Sequence, residues 1–503
     1  MDDYKKRSSI QRIFIKSTLW NHWAKMSQFG INFLFTILLT RKLGDTLYGK
    51  YSLWISICFL VSLVSQFGFE NIVNTYIPKL SHDRKKISFL VNRLISYRLS
   101  VLIIGVIVLV ALKMGVNMKS FLFSSKLVFI CLIGHVMFNS LASLLGRVLI
   151  SQYRLKVLSV INVITSIFQL TAAYIFLSSG FGLNSVLIII ALTSFIFLML
   201  CLSSLTDVIK SPKESFSLRP LLYFGKDSWL TNVVEFGLGK QLDIILIGYF
   251  ISAESEAGYY NLAISTIIIL SGLTTAGLSG VALAIFSEIE KKWGTDHLKI
   301  AWESLIKLEY ILSVPLIAFL AIYANPIIKN IYTDSYLPSV PMIQLYACFF
   351  IFQRLLGGGI HITVLYAMEK AQLIFNTRFA GGILNLVLNL ILIPLYGGMG
   401  AVTATGFSIM LTVFLEYFYI RKYLCRTYPF KFLIKISISI VAAFSILKMI
   451  RVESFVSIIY TGFSYGLLIL IILYFFKPFN QSDQNILSKI DSVPLGFFNK
   501  FCS

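Results

Sequence analysis

Stretches of about twenty mostly apolar residues follow one another along this chain, separated by short charged or Gly/Pro-rich breaks. That recurrence constrains the fold more than any other feature. A helix needs about 20 such residues to cross a bilayer, and in hydrocarbon every backbone polar group must be satisfied internally. About fourteen runs can be read: 17–40, 51–76, 94–112, 122–145, 156–179, 183–206, 221–249, 258–286, 305–330, 340–367, 371–394, 398–420, 433–450 and 455–476. An all-α polytopic membrane protein is therefore expected. Only 13% of the residues are charged, about half the share in soluble chains, too few to coat a water-exposed surface.

The side on which the cations fall tests this reading. With the N-terminus in the cytoplasm, alternation places 28 of the 44 Lys and Arg residues in inside segments, 8 outside and 8 within helices. Lys79, Arg84, Arg147, Arg154, Arg421 and Lys422 are among the inside group. An odd number of spans would scramble this bias, so both termini are expected in the cytoplasm of a cytoplasmic (inner) membrane. The net charge of +21 follows from topology and needs no nucleic-acid partner. The first apolar run lasts to about Thr40, too long for a cleaved leader. No loop exceeds roughly 20 residues, which leaves no room for a receptor domain or a fused ATPase. The six cysteines and five histidines form no metal-ligand spacing, and no cofactor is called for.

A weak internal repeat suggests duplication. Leu43-Gly44 and Tyr48-Gly49-Lys50-Tyr51 are echoed by Ile247-Gly248 and Ala257-Gly258-Tyr259-Tyr260. Phe176-Leu177 with Gly180-Phe181-Gly182 is echoed by Ile393-Pro394-Leu395 with Gly397 to Ala401. Both offsets are a little over 200 residues. Duplicated halves are common in transporters. The expected organisation is an N-terminal lobe over 1–206, a C-terminal lobe over 207–430, and two extra helices with a cytoplasmic tail over 431–503.

At these residues the chain resembles the oligosaccharide flippase (Wzx-type, polysaccharide biosynthesis) family, within the group that also holds MATE exporters and lipid II flippases. The resembling stretches are Leu38 to Gly44 leading to Tyr48-Gly49-Lys50-Tyr51, Gln66-Phe67-Gly68-Phe69-Glu70, Asp243 to Gly248 with Ala257 to Tyr260, and Asn385 to Pro394 with Gly400-Ala401. The resemblance implies two six-helix lobes around a central cavity that opens alternately to each face. It also implies a lipid-linked oligosaccharide of undecaprenyl-pyrophosphate type as substrate. Such a chain would serve surface polysaccharide or O-antigen synthesis, beside a polysaccharide polymerase and glycosyltransferases.

Ionisable residues inside a membrane are costly and mark function, partners or water. The run 221–249 carries Lys226, Asp227, Asn232, Glu235, Lys240 and Asp243. At 100° per residue, Asn232, Lys240 and Asp243 share an arc of about 80° on an uninterrupted helix, which would line a cavity. Lys25, Lys240, Arg354 and Arg378, with Asn232, are the candidate substrate contacts, because fixed cations suit an anionic pyrophosphate, with snorkelling to the headgroups as the alternative for Lys25 and Arg378. Glu70, Glu235 and Asp243 are the candidates for coupling to a proton or Na⁺ gradient, with simple ion pairing as the alternative. Arg98, Lys126 and Lys226 read as side chains that snorkel to the headgroups. His135 reads as a helix–helix hydrogen bond.

Two motif matches carry no chemistry. Gly44-x4-Gly49-Lys50 has Tyr51 where a phosphate-binding loop needs Ser or Thr, and Gly462 to Gly466 lies inside an apolar run rather than after a strand. The competing functions are a MATE-like exporter of small cations and a membrane-embedded polymerase. The first wants an acidic cavity, the second a large outer loop; neither fits this pattern of charge and loop length.

Overall fold

The computed structural model describes residues 2–80, 83–115, 125–275, 278–425, 427–447 and 452–476, with side chains described outside 2–25, 108–115, 227, 278–281 and 284. Among these residues there is no strand. The helices are α1 (Asp2–Gln66), α2 (Phe69–Lys79), α3 (Arg84–Gly115), α4 (Lys126–Ser151), α5 (Leu155–Ser178), α6 (Leu183–Ser204) and the single turn α7 (Thr206–Ile209). They continue with α8 (Arg219–Phe236), α9 (Lys240–Phe250), α10 (Glu254–Thr275), α11 (Leu278–Ile322), α12 (Ala324–Ile331), α13 (Ser339–Leu355) and α14 (Ile360–Ala367). The last three are α15 (Ala371–Tyr423), α16 (Phe430–Leu447) and α17 (Phe455–Phe476).

Eleven stretches among the described residues are long and apolar enough to cross a membrane, so the all-α polytopic expectation holds. Three of them are too long for one crossing: Met26–Gln66 has 41 residues, Ile285–Ile322 has 38 and Ala371–Tyr423 has 53, against about 20 for a bilayer. Each is divided by a glycine, Gly44 (φ 76°, ψ 176°) in α1, Gly294 (φ 77°, ψ −173°) in α11 and Gly397 (φ 57°, ψ −134°) in α15. Those backbone angles are essentially reserved to glycine. The expected run 221–249 is not one helix. It breaks between Phe236 and Lys240, where Gly239 is extended (φ −91°, ψ 145°). The 100° periodicity therefore does not carry the face of Asn232 through to Lys240 and Asp243.

By internal contacts the chain forms two compact units, one over Trp23–Asn261 and one over Leu262–Ser503 with Met1–His22. In the first, α4 packs against α6 and α2, α5 against α6, and α2 also against α8. Phe69, Ile72, Val73, Leu90, Leu145, Leu149 and Leu205 close its core. In the second, α11 packs against α13, α14 and α16, α15 against α13 and α14, and α16 against α17. Val456, Phe463 and Phe475 on α17 are 70–78% exposed, as a lipid-facing helix surface requires. The lobe boundary at 206/207 rests on the repeat and stays a proposal. The tail expected over 477–503 and the Lys25 side chain lie outside the described residues.

Candidate functional site

In the first unit the two copies of the Gly/Tyr motif dock on each other. Gly49 on α1 lies so close to the start of α10 that a Cβ there would sit 1.8 Å from the Glu254 carbonyl oxygen. A Cβ on Gly258 would meet the Asp45 carbonyl at 3.0 Å and the Gly49 nitrogen at 3.1 Å. Polar ties surround this approach. Lys50 Nζ lies 3.0 Å from Glu254 Oε2, and Tyr259 Oη donates to Asp45 Oδ2 at 2.6 Å. Asn261 Nδ2 donates to Ser52 Oγ at 2.8 Å and to Tyr48 Oη at 3.2 Å.

Lys240 and Asp243 join this network from α9. Lys240 Nζ donates to Asn261 Oδ1 at 3.0 Å. Asp243 is wholly buried and accepts a hydrogen bond from Tyr260 Oη. The structure thus brings Lys240 and Asp243 to the docked motifs. Asn232 is half-buried and Glu235 exposed, both on α8 before the break.

Glu70 opens α2 directly after the turn at Phe67-Gly68. It accepts from Ser143 Oγ at 2.7 Å and from Arg147 Nε at 3.2 Å. Arg98 Nη2 stands 3.6 Å from its Oε1. Arg98 does not snorkel. It is 0% exposed and reaches the Gln66 carbonyl and Ser143 Oγ, each at 3.4 Å. A cation turned inward can stay only beside a carboxylate, and Glu70 is there to receive it. His135 Nδ1 meets Ser194 Oγ at 2.8 Å, the helix–helix hydrogen bond expected of it.

In the second unit both candidate arginines have acidic partners. Arg354 on α13 pairs with Glu309 on α11, approaches Ser271 Oγ at 3.4 Å and lies 4.8 Å from the Phe350 ring centroid. Arg378 Nη2 lies 3.5 Å from Glu416 Oε1, and the two residues sit on opposite arms of α15. Farther along those arms, Asn385 Nδ2 donates to Thr405 Oγ1 at 3.1 Å and Asn389 Nδ2 to Asn385 Oδ1 at 2.5 Å, all buried. Glu309 and Glu416 went unread in the sequence. The available signal was that a carboxylate in an apolar run is as costly as the arginine that needs it.

Helices this long and apolar, broken by glycines and tied internally by ion pairs, define a multi-pass membrane protein. The fold is similar to that of the lipid II flippase MurJ in an inward closed conformation (TM-score 0.74, 17% identity, covering 92% of this chain and 98% of that one). It is also similar to an inward-facing MATE multidrug transporter of the MOP superfamily (TM-score 0.64, 11% identity, 81% and 98%). A family model described as polysaccharide biosynthesis protein matches residues 38–341, and the chain belongs to that family. Among relatives, a probable low-salt glycan biosynthesis flippase, Agl15 of Haloferax volcanii, is 21% identical over 78% of this chain and 80% of its own length. An uncharacterized membrane protein of Methanocaldococcus jannaschii is 26% identical over 36% of each chain, so the match spans about a third of that relative. The teichuronic acid biosynthesis protein TuaB of Bacillus subtilis is 29% identical over 27% of this chain and 28% of its own. Agl15, MurJ and the MATE protein are flippases and transporters rather than enzymes.

Proposed function

We propose that this protein moves a polyprenyl-pyrophosphate-linked oligosaccharide repeat unit from the cytoplasmic to the outer leaflet by alternating access, for surface polysaccharide synthesis. The observation that carries the reading is the membership of the polysaccharide biosynthesis family together with guanidinium groups fixed inside apolar helices. An anionic pyrophosphate crossing a low-dielectric path needs such cations. In this proposal the chain crosses an inner membrane fourteen times with both termini inside. The divided helices α1 and α15 each cross twice, and the broken pair α8–α9 crosses once.

The tail of the substrate needs an apolar surface. A groove of about 550 Å³ between α11 and α16, lined by Ala318, Ile322, Tyr323, Ile440 and Phe444, supplies one. Coupling to an ion gradient belongs to the proposal, with Asp243 as the carboxylate best placed to carry it. It is wholly buried at the docked motifs, whereas Glu70 is committed to two arginines and Glu235 is exposed. A polymerase and glycosyltransferases are the expected partners.

The test is deletion of the gene in its own host, with surface polysaccharide and the pool of lipid-linked units followed together. Loss of surface polymer with accumulation of lipid-linked units on the cytoplasmic side is expected. Normal polymer with raised sensitivity to cationic dyes overturns the reading in favour of a cation exporter.

A further inference from the structure

We propose that Arg147 is the contact that first takes the phosphate groups of the substrate at the cytoplasmic side, and that Glu70 and Arg98 hold it in position. The inference rests on the flippase reading above, and it follows from where positive charge is left uncompensated. Arg354 has Glu309, and Arg378 has Glu416, one carboxylate for each guanidinium. Around Glu70 there are two guanidiniums to one carboxylate. Arg98 is wholly buried, so its charge is the one Glu70 must neutralise, because an unpaired buried cation is heavily penalised. Arg147 carries the surplus. Its side chain is 46% exposed. Its Nε is pinned to Glu70, and its two terminal nitrogens have no protein partner among the described residues. A guanidinium held by Nε, with neither Nη group partnered among the described residues, keeps a planar fork available to match a phosphate.

The backbone holds this arrangement. Phe67 (φ 43°) and Gly68 (φ 72°) end α1 and set Glu70 in the first turn of α2. The turn is locked from outside, since a Cβ on Gly68 would lie 1.9 Å from the Gly225 carbonyl oxygen. Ser143 and Arg147, four residues apart on α4, reach Glu70 from one face. Arg147 stands near the end of α4 that the charge distribution assigns to the cytoplasm. That is the leaflet in which the substrate is loaded.

The ligand chemistry is a phosphate group on a lipid, from either a polyprenyl pyrophosphate or an anionic phospholipid of the bilayer. The test uses the full-length protein in zwitterionic nanodiscs, titrated with undecaprenyl pyrophosphate and, separately, with phosphatidylglycerol. Arg147→Ala is expected to weaken undecaprenyl pyrophosphate binding about tenfold or more, with little change for phosphatidylglycerol. Arg147→Lys, which keeps the charge but not the fork, falls between. Glu70→Gln separates positioning from simple electrostatics. It raises the local positive charge, so a purely electrostatic role predicts tighter binding, whereas positioning predicts weaker binding. Melting temperature is followed in every variant. Equal loss for both lipids gives the site to the bilayer and overturns the substrate role, and unchanged binding in a folded Arg147→Ala protein overturns the site altogether. If phosphate binding behaves as expected but deleting the gene leaves surface polymer normal, the flippase reading fails while the phosphate site stands.

Discussion

Arg378 faces a carboxylate, Glu416, that is wholly buried and takes no hydrogen bond on either oxygen, with the guanidinium 3.5 Å away as its counter-charge. Such a pair is far more sensitive to losing one member than to losing both. Arg378→Ala should therefore cost about 3 kcal/mol or more, since it strands Glu416. Adding Glu416→Gln to it should recover most of that loss. Melting temperatures of the two single variants and the double variant in detergent close the cycle. Additive single effects would mean that the two side chains do not sense each other.

The docking of Gly49 on Glu254 leaves no space for a side chain. Gly49→Val should separate α1 from α10 and abolish function while lowering expression. Gly30→Ala is the matched control in the same helix, because nothing lies within 4 Å of a Cβ at Gly30. It should be neutral or slightly stabilising, as alanine is in a helix interior. Equal damage from both changes would show that α1 tolerates no substitution at glycine, and the docked motifs would lose their special place.

Much of this fold was legible in the chain because membrane spans announce themselves by length and greasiness alone. The breaks at Gly44 and Gly397 lay at the Gly/Tyr and Gly-rich motifs already singled out. The break before Lys240 was hidden because 221–249 reads as one apolar run, and a glycine pair there is equally compatible with an intact helix. The partners of the candidate cations were not legible at all. Glu309 lies 45 residues from Arg354 in sequence, and no local pattern announces a contact at that range. Arg98 misled for the same reason: a long cation near a helix end snorkels by default, and only the approach of α2 and α4 turns it inward.

Asp207 gives the clearest pH dependence outside the spans. It receives Arg154 through two contacts, Oδ2 at 2.5 Å and Oδ1 at 3.1 Å, and Arg84 at 2.7 Å. The hydrogen bond from Arg154 leads the effects that hold its carboxyl below the usual value of 3.8. A carboxylate depressed in the folded state adds stability that is fully present above the unfolded value and lost as pH falls through the folded one. The tie from α5 and α3 to the turn at α7 should thus hold at neutral pH and weaken below about pH 4. Asp207→Asn should flatten the fall of melting temperature with acid, by a modest amount given the exposure of the site. An unchanged acid slope in that variant would assign the acid sensitivity to other carboxylates.

Arg354 decides whether the arginines inside the membrane serve transport or only hold helices together. It is paired with Glu309, touches Ser271 and stacks on Phe350, so its loss disturbs α13 and α11 whatever its role. Arg354→Ala should be both unstable and inactive, and alone it distinguishes nothing. The neutral double variant Arg354→Gln with Glu309→Gln leaves no buried charge uncompensated, and its melting temperature should return most of the way to wild type. If Arg354 also meets the pyrophosphate, the restored protein still lacks a cation on the path. Surface polymer should then stay low while lipid-linked units accumulate. Recovery of both stability and export would make the pair a structural tie and would shift the burden of anion recognition to the uncompensated charge at Arg147.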